Sequence, residues 1–298
     1  MAYFKTDSKK AMLMLWLTAA IWGFAFVAQR AGMKYIGPFT FNGIRFALGS
    51  LSLLPLLWIQ NKKPARLKLA PKNSLVYGGL LAGTVLFAAA SLQQAGMVWT
   101  SAGKAGFISG LYVILVPVIG IFIGQVISRN TWTGAMLAVT GLFLLAINHQ
   151  FRIEKGDLLV LLSAVFWAIH VQLINNLVKT IPPLHLSAIQ FGVCSALSMV
   201  SAGFMETVAI KSILDAVIPL LYGGLISVGI AYTLQAVAQR HVHPAKASIV
   251  LSFETVFAAI GGWIILHETL TIRGLAGCIL MLAGMIIVQT KQKIVTSA

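Results

Sequence analysis

Ionisable side chains are few in this sequence, and the ones set in apolar surroundings are the first candidates for chemistry. Of its seven acidic residues, only Glu254 lies near the middle of an apolar stretch. A carboxyl there has three uses: exchanging a proton, meeting the ammonium group of a solute, or hydrogen-bonding in neutral form to a neighbouring helix. Arg45 sits about six residues into another apolar stretch, roughly 9 Å deep at helical rise. It either snorkels to the surface or meets a solute carboxylate. His170 is the one histidine well inside such a stretch and lies one helical turn from Trp167. Imidazole titrates near neutral pH, so a proton relay and a satisfied interior histidine are both open. Charges in hydrocarbon cost roughly 2.5–3.5 kcal/mol on insertion scales, which is why each needs its own explanation.

Aromatic and amide side chains form a second set. Trp22 and Trp167 lie deep within their apolar stretches, where an interfacial belt does not explain them. Tyr232, Gln235 and Gln239 recur at helical spacing, and Gln93 and Gln94 end another stretch. Rings mixed with amides suit a cavity for small polar or aromatic solutes, and equally suit interhelical hydrogen bonding. Enzymatic readings fail on inventory. His267-Glu268 lacks the second histidine of a zinc protease motif, and Gly103-Lys104 lacks the upstream glycine of a phosphate-binding loop. His241 and His243 have no third ligand nearby, so no metal and no cofactor is expected.

The elements that must carry these residues are membrane spans. Hydrophobic residues make up 58% of the 298, charged ones only 10%, and mean hydropathy is +0.89. A water-soluble domain of this size does not tolerate that balance. Apolar runs long enough to cross about 30 Å of hydrocarbon recur near 11–28, 39–59, 75–95, 102–124, 131–147, 157–175, 184–205, 215–238, 245–266 and 272–289. The prediction is an all-α polytopic membrane protein with ten transmembrane helices, or nine if the short fifth and sixth runs form one. The net charge of +15 is distributed as a topology signal: the tails and alternate loops hold most of the Lys and Arg. This places both termini in the cytoplasm and the chain in the cytoplasmic (plasma) membrane, with no nucleic acid as partner. The basic cluster at 62–72 is suited to anionic lipid headgroups. Cys194 and Cys278 read as small buried hydrophobes.

One pattern occurs twice, about 145 residues apart. Trp22, Lys34, Ile36 and Pro38 recur as Trp167, Lys179, Ile181 and Pro183. Tyr77-Gly78-Gly79-Leu80 recurs as Tyr222-Gly223-Gly224-Leu225, and Gln94 as Gln239. Beyond a connection three residues shorter, Lys104, Tyr112 and Gly120 pair with Lys246, Glu254 and Gly262, and Gly134 and Gly141 with Gly277 and Gly284. The predicted units are 11–147 and 156–289. An odd number of spans in each forces the second to enter the bilayer upside down, the plan of carriers with inverted repeats. Inversion puts Lys104 near the outer mouth of a pathway and Lys246 near the inner one, where each attracts or gates a solute or merely snorkels. Gly79/Gly83, Gly106/Gly110 and Gly120/Gly124 mark close helix packing.

These motifs resemble the EamA-type drug/metabolite transporter superfamily. The residues concerned are Ala20-Ile21-Trp22-Gly23-Phe24-Ala25-Phe26, Ser101-Ala102-Gly103-Lys104-Ala105, His243-Pro244-Ala245-Lys246-Ala247-Ser248 and Gly262-Trp263-x-x-Leu266-x-Glu268. The second copy departs from the first at Ala168 and Ile169, where Gly23 and Phe24 stand. The resemblance implies a ten-helix permease of two inverted five-helix repeats around a central cavity. It also implies small organic solutes, often exported amino acids or related metabolites. Cavity candidates are Trp22, Arg45, Gln94, Tyr112, Trp167, His170, Tyr232, Gln235, Gln239 and Glu254. Proton coupling, and a monomer against a homodimer, stay open, as do a multi-span enzyme and a non-transporting receptor.

Overall fold

The computed structural model describes residues 8–61, 72–100, 102–146, 155–265 and 272–289. The basic stretch 62–71, Ser101, the polar midpoint 147–154, and Leu266, His267 and Glu268 lie outside the described residues. Every regular element among the described residues is helical. In lipid each backbone N–H and C=O must be paired within its own segment, and a helix does this.

The first half runs α1 (Ser8–Gly32), α2 (Pro38–Asn61), α3 (Lys72–Gly96), α4 (Ala102–Gly110), α5 (Tyr112–Phe122) and α6 (Arg129–Ala146). The second runs α7 (Lys155–Leu177), α8 (Pro183–Met205), the short α9 (Ile210–Asp215) and α10 (Val217–Leu221), a π-helical stretch Tyr222–Tyr232, α11 (Thr233–Ala238), α12 (Pro244–Leu251), α13 (Glu254–Ile265) and α14 (Ile272–Gln289). Among the described residues, eight continuous helical segments are long and apolar enough to cross a membrane. The α4–α5 and α12–α13 pairs each count as one of them, as does Val217–Ala238. The other two expected spans, α6 and α14, are the short ones at 18 residues each. The sixth was expected to be short but α7 has 23 residues, because Lys155 and Gly156 join its first turn ahead of Asp157 and Asn176 and Leu177 extend its end. Asp157 is favoured there by the helix dipole.

Repeat-related residues do the same local work. Pro38 and Pro183 each open a helix, where a missing N–H goes unnoticed. The turns before them close with Ile36 N–H on Gly32 O (3.2 Å) and Ile181 N–H on Leu177 O (2.8 Å). Arg30 donates to Met97 O and Val98 O at 2.6 and 3.1 Å. Its counterpart Asn175 donates to Gln239 O and Val242 O at 2.9 and 3.4 Å.

The layers pair across the halves: α2 lies on α8, α3 on α7 and α8, α1 on α13 and the π stretch, and α6 on α14. In the last pair Gly134 opposes Gly284 and Gly141 opposes Gly277, so the helices run antiparallel. Because Gly134 is the counterpart of Gly277 and Gly141 of Gly284, the contact is reciprocal, as a twofold axis between the halves produces. A Cβ on Gly134 would stand 2.7 Å from Gly284 O, and one on Gly141 would overlap Gly277 O. Gly141→Val should therefore force α6 off α14 and lower the thermal stability of the purified protein by about 1–3 kcal/mol, the usual cost of overpacking. An unchanged melting temperature would refute this contact.

The other small-residue pairs also pack within the chain. Gly79 and Gly83 meet Ile189 and Val193 of α8, and Gly110 meets Leu142 and Thr255. Gly124 differs: it ends α5 with φ +79, a left-handed turn that glycine takes without strain. Cys194 is buried, Cys278 partly so, and both are free thiols.

Candidate functional site: a central cavity between the halves

Two spans are interrupted at repeat-related points. The first breaks at Leu111, between α4 and α5, and the second at Ser252–Phe253, between α12 and α13. The residues that restart the helices are the counterparts Tyr112 and Glu254. Both are buried and both line one narrow central cavity of about 30 Å³, room for water but smaller than a small-molecule pocket. The Tyr112 hydroxyl lies beside the Glu254 carboxyl without closing a well-formed hydrogen bond. A broken helix at membrane depth is tolerated where it borders such a cavity.

Gly23 brings α1 against this break. A Cβ there would lie 2.6 Å from Glu254 O and 2.8 Å from Ala258 N, which accounts for glycine in the first copy where the second has Ala168. The π-helical stretch supplies another wall. Its wider turns leave carbonyls that α1 captures: Trp22 Nε1 donates to Ser227 O (3.3 Å) and Thr18 Oγ1 to Ala231 O (3.2 Å).

Both halves contribute to the lining. Trp22, Phe26, Gln29, Arg45, Gln93 and Tyr112 come from the first, and Trp167, Val171, Ser227, Tyr232, Gln235, Leu251 and Glu254 from the second. Tyr232 is the centre of an aromatic slab. Its ring is 4.5 Å from Trp22, 6.0 Å and nearly parallel to Trp167, and edge-on to Phe191 at 5.9 Å. Arg45 is 1% exposed and lies 4.8 Å from the centre of the Phe46 ring and 5.6 Å from that of Phe41. Its Nε donates to Asn42 Oδ1 at 2.9 Å, and no carboxylate among the described residues pairs with it.

Gln93 is oriented by its neighbours. Its Oε1 accepts from Trp167 Nε1 (2.7 Å) and Ser109 Oγ (3.0 Å), and its Nε2 donates to Gln29 Oε1 (3.3 Å). The lining thus combines a guanidinium, a carboxyl, amides and aromatic rings. Once the cavity widens, that set has the chemistry to meet a small solute with an anionic or carbonyl end and an apolar body.

Three of the sequence candidates stand behind this wall. Gln94 donates to Gln29 O at 3.4 Å, and Gln239 to Val171 O at 3.0 Å, so both tie helices together. His170 shares a 3.0 Å hydrogen bond with Gln190 and meets the far edges of Trp167 and Tyr232. The seven others, Trp22, Arg45, Tyr112, Trp167, Tyr232, Gln235 and Glu254, line the cavity. Gln29 and Ser227 were not anticipated. Gln29 lay just past the expected end of the first span at residue 28, but α1 continues to Gly32. Lys104 is paired with Asp157 at 2.5 Å, whereas Lys246 borders a separate shallow hollow with His243, Ser128 and Thr131. Burial and the charges of Lys246 and Lys179 push the His243 imidazole below its ordinary value.

The profile of the EamA-like transporter family matches residues 9–147 and 154–290. This chain belongs to the EamA-like transporter family. An uncharacterized transporter, YoaV, of Bacillus subtilis (strain 168) is 28% identical over 281 residues, covering 92% of this chain and 95% of that one. One from Archaeoglobus fulgidus is 29% identical over 284 residues, covering 94% and 86%. A solved crystal structure shares the fold at TM-score 0.77 and 16% identity, over 94% of this chain and 96% of the other. The EamA-like chain is thus a multi-pass membrane transporter and not an enzyme.

Proposed function

We propose that this EamA-like protein is a secondary carrier of small organic solutes, amino acids or related metabolites, moving them outward across the cytoplasmic membrane. Two five-helix halves of opposite orientation, with both chain termini cytoplasmic, alternate access to the central cavity. The observation that carries the reading is that Arg45 of one half and Glu254 of the other line the same aromatic-walled cavity. A solute bridging them touches both moving parts, and differential contact of that kind is what a carrier needs to couple binding to a change of state. The reciprocal Gly134–Gly284 and Gly141–Gly277 contacts support the inverted arrangement.

Purified protein in liposomes should carry members of a radiolabelled panel of amino acids and organic anions, measured at two pH values. Flux no greater than in empty liposomes for every member would remove the carrier reading in favour of a receptor or assembly subunit. Saturable flux without pH dependence would leave a facilitator.

A further inference from the structure

The two ends of the bundle differ in chemistry. At the outer end, Lys104 Nζ meets Asp157 Oδ2 at 2.5 Å and Thr100 Oγ1 donates to Asp157 Oδ1 at 2.9 Å. Asp157 is only 5% exposed. Beneath it the backbones of α3 and α7 touch: a Cβ on Gly96 would lie 2.6 Å from Gly156 O. Arg30 draws α1 onto the same turn through Met97 O and Val98 O.

The repeat defines what stands at the corresponding inner positions. Lys104 corresponds to Lys246, Gly156 to Ala11 and Asp157 to Met12. Lys246 has no carboxylate within ion-pair distance among the described residues. Ala11 is fully buried and Met12 packs against the apolar core. Among the described residues the outer end carries an ion pair and the corresponding inner positions carry none.

We propose that Asp157 is a positioning residue for alternating access: its ion pair with Lys104 latches the outer mouth and has no inner counterpart among the described residues. The proposal rests on the carrier reading. In an inverted-repeat carrier the halves exchange conformations, so opening the outer mouth breaks this pair while closing the inner mouth forms none in return. The ion pair therefore biases the empty carrier toward its outward-closed state. An asymmetry of this sort shifts the equilibrium only by the difference between the two closures.

The test uses full-length protein with Cys194→Ser, Cys278→Ser and Gln29→Cys, which places one thiol in the cavity. Oriented vesicles are treated with a membrane-impermeant maleimide from the outer face. Asp157→Asn and Lys104→Gln should each raise the labelling rate roughly three- to tenfold, between the worth of an exposed ion pair and of a charge-assisted hydrogen bond. The double variant should label no faster than either single one, because both remove the same interaction. Exchanging the charges, Lys104→Asp with Asp157→Lys, should bring the rate back toward the parent's.

Unchanged labelling in the single variants would overturn the latch. So would single variants that label equally fast from both faces with no recovery on exchange, since that pattern reports unfolding. Labelling as predicted in a protein that moves no solute would sink the carrier reading and keep the latch. Solute flux with unchanged labelling would do the reverse.

Discussion

Arg45→Gln should weaken transport at low solute concentration by roughly ten- to a hundredfold, seen mainly as a higher KM. Arg45 is buried, held over Phe41 and Phe46, and spends one hydrogen bond on Asn42, with no carboxylate partner among the described residues. The remaining guanidinium N–H groups are available to an anionic or carbonyl end of a solute. A hydrogen bond to a charged group contributes about 1.5–3 kcal/mol, and each 1.4 kcal/mol is about tenfold in affinity. Arg45→Lys should not restore the affinity, because a point charge on a flexible stem lacks the planar fork. The scaffold itself does not demand charge here, since the repeat counterpart is the neutral Gln190, which binds His170. Concentration-dependent liposome flux separates KM from maximal rate. An unaltered KM in a variant of normal melting temperature would assign Arg45 to packing alone.

Glu254→Gln should lower transport at least about tenfold, the worth of one charge-assisted hydrogen bond, and should flatten its dependence on pH. Glu254 restarts a broken span, lines the cavity and has no cationic partner among the described residues. A carboxyl so placed is satisfied either by a proton or by the cationic group of a solute. Glutamine keeps the shape and removes both options. Flux of one solute at two pH values distinguishes them. Lost pH dependence with residual transport marks a proton-coupling site, whereas lost transport of ammonium-bearing solutes alone marks a solute contact. Transport and pH dependence equal to the parent's would exclude Glu254 from the mechanism.

How far the site could be read in advance depended on the kind of signal. Arg45, Glu254 and the two tryptophans stood out because a polar or large aromatic group deep in an apolar run needs a reason, and lipid does not supply one; Tyr112 followed as the repeat counterpart of Glu254. Gln93 and Gln94 show where that signal ends. Neighbouring residues on a helix point about 100° apart, so which amide faces the cavity depends on the rotation of α3 against α7 and α8. Packing turned Gln93 to Trp167 and the cavity, and Gln94 to the backbone of α1. Ser227 faces the cavity on a stretch wound as a π-helix, for which a period-3.6 reading has no signature. Asp157 looked like a span-end charge and became an interhelical tie only when Lys104, 53 positions earlier, was brought alongside.

Hydropathy, charge asymmetry and the twice-written pattern are properties of residues taken in order. They were sufficient by themselves for a membrane bundle and its EamA-like character. Helix rotation, the two mid-span breaks, the meeting of Arg45 and Glu254 around one hollow, and the Lys104–Asp157 ion pair came only with the tertiary structure. Each depends on which faces of distant helices pack together, and that is settled by close contacts such as Gly23 on α13 and Gly141 on α14, which no local pattern encodes.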